Sequence, residues 1–268
     1  MAVVALTIAG SDPSGGAGIQ ADLKTFHQFG IYGEAAVTLL TVQNTRSVSR
    51  VELVSGELIR EQIEAAVSDI CPQAAKTGAL GGAEQVEVVA AMARFFSFPL
   101  VVDPVMVSKH GTSLMSVEAE RMLKEKLLTV CSLVTPNLAE AERLSGQSID
   151  SAADMETAAR RIAGFGVPAV LIKGGHLPGE PVDVLLCEEK THVLRGRRVA
   201  SPHTHGTGCT YSAAITALMA KGSGLVEAVV EAKAFIQAAI ETAPGLGSGA
   251  GPVNHFAKPK PIVTAFSS

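Results

Sequence analysis

The stretch Val3-Val4-Ala5-Leu6-Thr7-Ile8-Ala9, followed by Gly10-Ser11-Asp12-Pro13-Ser14-Gly15-Gly16-Ala17-Gly18, decides how the rest of the chain reads. Seven residues with one hydroxyl among apolar side chains form no amphipathic pattern of either period, which marks a strand covered on both faces. The glycine-rich turn then hands the chain to a helical pattern over about residues 17–29 and to a second apolar run, Ala35 to Thr41. Strand, crossover helix and parallel strand make a right-handed βαβ unit. Working outward, Ala74 to Thr77, Leu100 to Asp103, Ser132 to Thr135 and Ala169 to Lys173 repeat the strand pattern. Helical patterns lie between them near 57–69, 83–95, 117–129, 138–145 and 152–164. The fold class is therefore α/β, with a mostly parallel central sheet between helices.

Residues 182–199 change the rhythm. Val182 to Cys187 and Thr191 to Val199 flank Glu188-Glu189-Lys190, which predicts an antiparallel hairpin at a sheet edge. Two further helices follow. The one over about 208–220 carries hardly a charge and is expected to be buried nearly all round; the one over about 225–243 gathers Glu227, Glu231, Gln237 and Glu241 on one arc. The Gly-, Ser- and Pro-rich tail from Leu246 is expected to fray. No linker, composition shift or solenoid repeat divides the chain, so residues 1–268 read as a single domain.

Composition narrows the function. With 47% hydrophobic and 18% charged residues the chain has ample core material and is not disordered. Its net charge of -4, without any block of like sign, offers nothing to grip nucleic acid or an anionic membrane, so the expected partners are small molecules. Apolar runs are too short to cross lipid, and the first basic residue is Lys24, too late for the n-region of a signal peptide. Cys71, Cys131, Cys187 and Cys209 form no C-x-x-C pair and read as free thiols in a reducing cytoplasm.

The chemistry concentrates at loops after strands. In His203-Thr204-His205-Gly206-Thr207-Gly208-Cys209, two glycines precede a helix whose free N–H groups and dipole can hold the oxyanions of a phosphoryl group. The same field is expected to favour a thiolate at Cys209, which would then accept a proton from an alcohol. Tight helix packing and a buried, inert cysteine explain these residues equally well. Asp103, ending an apolar strand before Pro104, aims a carboxylate where a magnesium ion or a lysine could meet it, although Asp-Pro is also ordinary turn chemistry. Asn137 and Glu140 follow Pro136 at the spacing of a capping box, and a hold on magnesium through water is the functional alternative. Lys173 can reach a nucleotide phosphate or snorkel to solvent. His203 and His205 lack a third ligand, so no zinc is assigned. Gly16-Ala17-Gly18-Ile19-Gln20-Ala21 formally fits a dinucleotide fingerprint, but it stands several residues from the strand end, and Thr41-Val42-Gln43 supplies no acid for a ribose. No glycine precedes a lysine anywhere, so the phosphate loop of that pattern is absent as well.

Taken in order, Ala9 to Asp22, Thr41-Val42-Gln43-Asn44-Thr45, Val102-Asp103-Pro104-Val105-Met106, Thr135-Pro136-Asn137-Leu138-Ala139-Glu140 and His205-Gly206-Thr207-Gly208-Cys209-Thr210 go beyond a generic α/β protein. From about residue 4 to 255 the chain resembles the hydroxymethylpyrimidine/phosphomethylpyrimidine kinases of thiamine biosynthesis, members of the ribokinase-like superfamily. The resemblance implies a three-layer ribokinase-like sandwich. It also implies ATP- and magnesium-dependent phosphorylation of 4-amino-5-hydroxymethyl-2-methylpyrimidine (HMP) and then of HMP phosphate. It places Gly10, Asp22, Val42 and Gln43 at the substrate, with Gln43 reading the ring's amine and nitrogen through an amide that both donates and accepts. Gly206, Thr207, Gly208 and Cys209 become the catalytic anion hole and base, where most sugar kinases of the superfamily carry Asp. Asp103, Asn137, Glu140 and Lys173 fall at the nucleotide, with Asp103 and Glu140 toward magnesium. A cytoplasmic homodimer is the family habit, and no fused thiamine-phosphate synthase domain is expected. The nearest rival is a pyridoxal kinase of the same fold, whose substrate shares the ring nitrogen and hydroxymethyl group but offers a phenolic oxygen for the amine. A silent ligand-binding relative is the rival from another class, against which Asp103, Glu140 and Cys209 speak.

Overall fold

A computed structural model describes residues 2–108 and 111–258. Nine strands form one sheet: β1 Val4–Ser11, β2 Tyr32–Gln43, β3 Val48–Leu53, β4 Ala74–Thr77, β5 Leu100–Val102, β6 Leu133–Val134, β7 Ala169–Gly174, β8 Val182–Cys187 and β9 Lys190–Arg195. Their spatial order is β3-β2-β1-β4-β5-β6-β7-β8-β9. Strands β2, β1, β4, β5, β6 and β7 run parallel, while β3 pairs antiparallel with β2, and β8 and β9 continue antiparallel from β7.

The parallel strands read as apolar runs because both of their faces are covered. Leu100 and Val102 pack into one core while Val101, between them, packs into the other; Val134 and Leu133, and Ile172 and Leu171, divide in the same way. Full burial of each such Val or Leu contributes about 1.5–3 kcal/mol, so one polar replacement in β5 removes support from a whole layer. The first core is closed by α2 Gly56–Asp69, α3 Ala83–Ala93, α4 Val117–Met122, α5 Leu138–Ser145 and α6 Ala152–Ala163. The opposite face is covered by α1 Gly18–Gln28, α7 Thr207–Ala220 and α8 Leu225–Glu241. This is the three-layer sandwich with an antiparallel edge hairpin that the resemblance implies.

Several details go beyond or depart from the expectations. Strand β2 starts at Tyr32, not Ala35, and β3, which no apolar run announces, makes a second antiparallel edge. The helix expected to reach 129 is α-helical only to Met122; Leu123–Leu127 widen into a π turn and Leu128–Val130 tighten into a 3-10 turn. Helix α8 buries Lys233, whose Nζ lies 2.6 Å from Asp183 Oδ2. The tail does not fray over 252–257: Pro252 bridges to His205, and Val253, His255 and Ala257 are buried. Backbone hydrogen bonds of the segment to His205 and Ala239 hold it there against the loop-like composition just before it. Residues 259–268 of that tail lie outside the described residues.

Candidate active site

The carboxyl ends of the parallel strands all open on the same edge of the sheet, and the site is assembled there. The loop after β1 meets the N-terminus of α7. Gly206, the N-cap of α7, has φ 75°, and a Cβ on it would stand 1.7 Å from the Gly16 carbonyl oxygen. Only glycine permits that approach, and it brings the two glycine loops into contact. Gly18, with φ +57°, approaches Gly10 in the same way, since a Cβ there would lie 2.2 Å from the Gly10 oxygen. Gly10 itself leaves room for Leu39, whose Cδ1 would be 2.5 Å from an added Cβ. Loop and helix therefore present the backbone N–H groups of Gly208 and Cys209 in the first turn of α7, which take no backbone partner among the described residues, while the Thr207 N–H donates to the Thr204 oxygen at 3.3 Å.

Beside this cradle stands a charged pair. Lys173, near the end of β7, places Nζ 2.9 Å from Asp103 Oδ1, just beyond the end of β5. Both lie against the anion cradle: a Cβ on Gly208 would meet Lys173 Nζ at 3.2 Å and Asp103 Oδ2 at 3.5 Å. Thr135 donates to Asp103 Oδ1 at 3.3 Å and Ser212 of α7 to Oδ2 at 3.3 Å. Of the two partners open to Asp103 in the sequence, the structure supplies the lysine. Burial alone would pull the Lys173 ammonium down; Asp103 and Glu140 outweigh it and hold it above its ordinary range.

Asn137 and Glu140 form the complete capping box of α5. Asn137 Oδ1 accepts from the Glu140 N–H at 3.0 Å, and Glu140 Oε2 accepts from the Asn137 N–H at 2.8 Å. Burial pushes the Glu140 carboxyl up to about 7 against the pull of Lys173. Both side chains thus have a structural task.

The thiol expectation needs correction. Cys209 is partly exposed in the first turn of α7, yet loss of water pushes its thiol up to about 12. Lys76 pulls it down, and Asp22 and Asp103 push it further up. Desolvation and two carboxylates outweigh the helix field, so the resting side chain is a thiol and not a standing thiolate.

Beneath Cys209 lies a feature hidden in a strand that reads as apolar. Lys76 of β4 and Asp22 of α1 are both 0% exposed, with Nζ 2.7 Å from Asp22 Oδ1. Thr7 donates to Asp22 Oδ2 at 2.7 Å, and Lys76 Nζ reaches the Cys209 carbonyl oxygen at 3.5 Å. Burial pulls the ammonium down and pushes the carboxyl up, but the ion pair satisfies every one of these polar atoms, and Asp22 keeps Lys76 above its ordinary range. Asp22 is thus placed under the floor of the site. The signal that marks the pair is a lysine inside a run buried on both faces, which requires a partner.

On the same edge of the sheet, Gln43 at the end of β2 is half-buried, and Val42 before it is 56% exposed. The Gln43 amide nitrogen lies 3.1 Å from His205 Nε2, and that same nitrogen lies 2.7 Å from Asp12 Oδ2. His205 and Asp12, weighed in the sequence only as half of a superficial metal pair and as part of a loop, therefore meet, buried, beside Gln43. His203 lies apart, against Gly245 and Gly251 of the C-terminal segment. Among the described residues no three His, Cys, Asp or Glu side chains stand together as a metal site.

The chain is similar to known proteins over most of its length. The family model described as phosphomethylpyrimidine kinase matches residues 12–254. A hydroxymethylpyrimidine/phosphomethylpyrimidine kinase of Rhizobium meliloti is 47% identical over 96% of this chain and 98% of its own. The "Thiamine biosynthesis bifunctional protein ThiED" of Geobacter sulfurreducens is also 47% identical over 94% of the chain, which spans about half (52%) of that longer relative. Among solved structures, the ADP complex of Bacillus subtilis pyridoxal kinase superposes with a TM-score of 0.88 at 39% identity, covering 96% of this chain and 98% of that one. With the family model spanning most of its length, the chain belongs to the phosphomethylpyrimidine kinase family.

Proposed function

We propose that the protein is a bifunctional kinase that transfers the γ-phosphoryl group of ATP to the hydroxymethyl oxygen of HMP and then to HMP phosphate, yielding the pyrophosphate used to build thiamine phosphate. The observation that carries this reading is the contact between the Gly206–Cys209 cradle and the Lys173–Asp103 pair, on the edge that also holds Gln43. Unshielded amides and a fixed ammonium meet the charge of a phosphoryl group in flight, and an amide meets a nitrogen heterocycle. ADP binding by the Bacillus subtilis relative supports ATP as the donor.

The chain's own groups account for most of the chemistry. The N–H groups of Gly208 and Cys209 donate to the equatorial oxygens of the phosphoryl group, and the helix dipole of α7 adds to their field; the Thr207 N–H joins them only by leaving the Thr204 oxygen. Lys173 takes a nucleotide phosphate from the other side, and Asp103 holds the ammonium in place. Cys209 orients the acceptor hydroxyl and receives its proton only after losing its own, so the fraction of thiolate limits this step and Lys76 raises that fraction.

Magnesium fits the site as an outer partner. Asp103 and Glu140 provide the hard oxygen donors it prefers, each already engaged by a protein group, which suits an ion that keeps several waters. Bound there with the nucleotide, it would neutralise phosphate charge. Asn137 serves this arrangement by fixing Glu140.

The exposed apolar residues Leu40 and Val42 of β2 and Leu53 of β3 support a homodimer. The single continuous sheet supports one kinase domain, and the four free cysteines support a reducing cytoplasm. No helix among the described residues is long and apolar enough to cross a membrane. The second reading, a pyridoxal kinase, is favoured by the pyridoxal kinase structure above. ATP consumption with HMP, HMP phosphate and pyridoxal, measured side by side, decides between them: HMP and its phosphate are expected to have the highest kcat/KM, and a preference for pyridoxal overturns the assignment.

A further inference from the structure

The trio Asp12, His205 and Gln43 poses a problem of proton placement whose solution bears on specificity. Asp12 Oδ2 already accepts from Ser14 Oγ at 2.9 Å and from the Ala17 N–H at 2.9 Å, and its Oδ1 accepts from the Ser14 N–H at 2.8 Å. A carboxylate so supplied with donors is ionised; burial raises its pKa, but His205 and Ser14 overcome that and hold it below the usual range. His205 Nε2, 2.7 Å from this oxygen, must therefore carry a proton and donate it, whether the ring is neutral or charged. A nitrogen whose proton points at a carboxylate has no lone pair to offer the Gln43 N–H group 3.1 Å away. Rotating the Gln43 amide by half a turn brings its oxygen to the same place, where it accepts a share of the Nε2–H that Asp12 also accepts, and no donor then faces a donor.

We propose that the Asp12–His205 pair fixes the Gln43 amide with its oxygen accepting from His205 Nε2 and its NH2 group turned away from that pair, open to a ligand. His205 is thus a positioning residue that makes Gln43 a hydrogen-bond donor toward the substrate ring. The second amide atom of Gln43 takes no hydrogen bond from the described residues and is not buried, so the group placed there is free to meet a ligand. The enclosing contacts leave His205 little freedom: a Cβ on Gly16 would lie 2.5 Å from His205 Cδ2, and the His205 N–H donates to the Gly251 oxygen at 3.0 Å.

The consequence is a specific reading rule that rests on the kinase assignment. A fixed donor recognises an acceptor on the ring edge, which the aminopyrimidine offers as the ring nitrogen beside its amine and pyridoxal offers as its phenolic oxygen. Discrimination between the two rings must then come from groups other than Gln43. An amide free to turn would instead read amine and nitrogen together.

The test is calorimetric binding, without ATP, of HMP and of an analogue in which that ring nitrogen is replaced by C–H. Wild type, Gln43→Ala, His205→Leu, His205→Gln and His205→Asn are compared. Wild type is expected to prefer HMP by about tenfold, the loss typical of one unmade hydrogen bond. Gln43→Ala and His205→Leu should each lose most of that preference. His205→Gln, whose amide N–H replaces the imidazole donor, should recover it, while His205→Asn, too short to reach both partners, should not. A merely structural role for His205 would weaken both ligands alike and leave the ratio unmoved; an unmoved ratio in the histidine variants overturns the proposal, and His205→Asn carries the test if His205→Leu does not fold. A wild type that binds HMP without phosphorylating it overturns the kinase assignment and leaves the ratio to judge the amide; one that does not bind HMP ends both.

Discussion

Lys76 and Asp22 form an ion pair of 2.7 Å with neither side chain exposed, and the lysine extends to the Cys209 carbonyl oxygen at 3.5 Å. A buried pair of this kind is costly to assemble and is weak support for the fold, so its position under the first turn of α7 points to a task at the site. Burial pushes the Cys209 thiol up, and Lys76 draws it down more than the other lowering contact, the Gly18 backbone, does.

Removing one partner separates the two roles. Lys76→Met leaves Asp22 buried without a cation and is expected to cost about 3–5 kcal/mol in chemical denaturation. Adding Asp22→Leu should recover most of that stability, because apolar replacement of a whole buried pair is often neutral. If Lys76 tunes Cys209, the double variant remains slow, with kcat for HMP below that of wild type and slower alkylation of Cys209 by iodoacetamide. Full kcat in the stable double variant would reduce the pair to a packing feature.

With its thiol pushed up to about 12, Cys209 is protonated at neutral pH. Under saturating substrates kcat is therefore expected to rise with pH between about 7 and 9 without levelling. Cys209→Ala should lose about 100-fold or more in kcat, the usual contribution of a positioned base, and the slope with it, while KM for ATP changes little. A flat profile in wild type would remove the proton-accepting role; near-normal turnover in Cys209→Ala would remove the residue from the mechanism.

Glu140 holds its proton up to about 7 in the folded protein, against an ordinary value of 4.5. The folded state thus binds a proton that the unfolded chain releases, and the ionised carboxyl costs stability that grows from about pH 4.5 and is complete above 7. The difference corresponds to about 3 kcal/mol. Glu140→Gln preserves the capping acceptor for the Asn137 N–H and removes the buried charge. Its Tm is expected to exceed that of wild type at pH 8 and to match it near pH 5, with a higher KM for ATP. A lower Tm at pH 8 would mean that the Lys173 attraction outweighs the burial of the carboxyl.

Much of this architecture is legible before any coordinates. Val3 to Ala9 and Leu100 to Asp103 declare themselves because a strand covered on both faces is apolar nearly throughout, and Gly206 marks a close approach of two loops because no side chain fits there. Strand β3 is silent for the converse reason: Val48-Ser49-Arg50-Val51-Glu52-Leu53 lies at an open edge and needs no continuous apolar run. Asp12 and His205 were in view in the sequence, but their meeting spans 193 positions and depends on two loops crossing at Gly16 and Gly206. No local pattern encodes such a contact.

The C-terminal segment supplies the last prediction. His255 is buried, its Nε2 has no hydrogen-bond partner among the described residues, and burial, Lys24 and His205 together lower its pKa to about 4. A histidine held neutral in the fold but free to protonate near 6.5 when unfolded contributes stability that is complete above about pH 6.5 and is lost as pH falls toward 4. The span corresponds to about 3 kcal/mol. This runs opposite to Glu140, whose penalty disappears over much of the same range, so the wild-type Tm should change less between pH 7 and 4.5 than either residue alone would dictate. His255→Leu removes one side of that balance: its Tm relative to wild type should rise as the pH is lowered from 6.5 to 4.5. Because Pro252 and Val253 tie this segment to His205, acid should also loosen residues 252–257 before the sheet, read as earlier amide exchange there. An unchanged Tm difference between His255→Leu and wild type across this range would show that the imidazole finds water or a partner on protonation and that acid acts elsewhere.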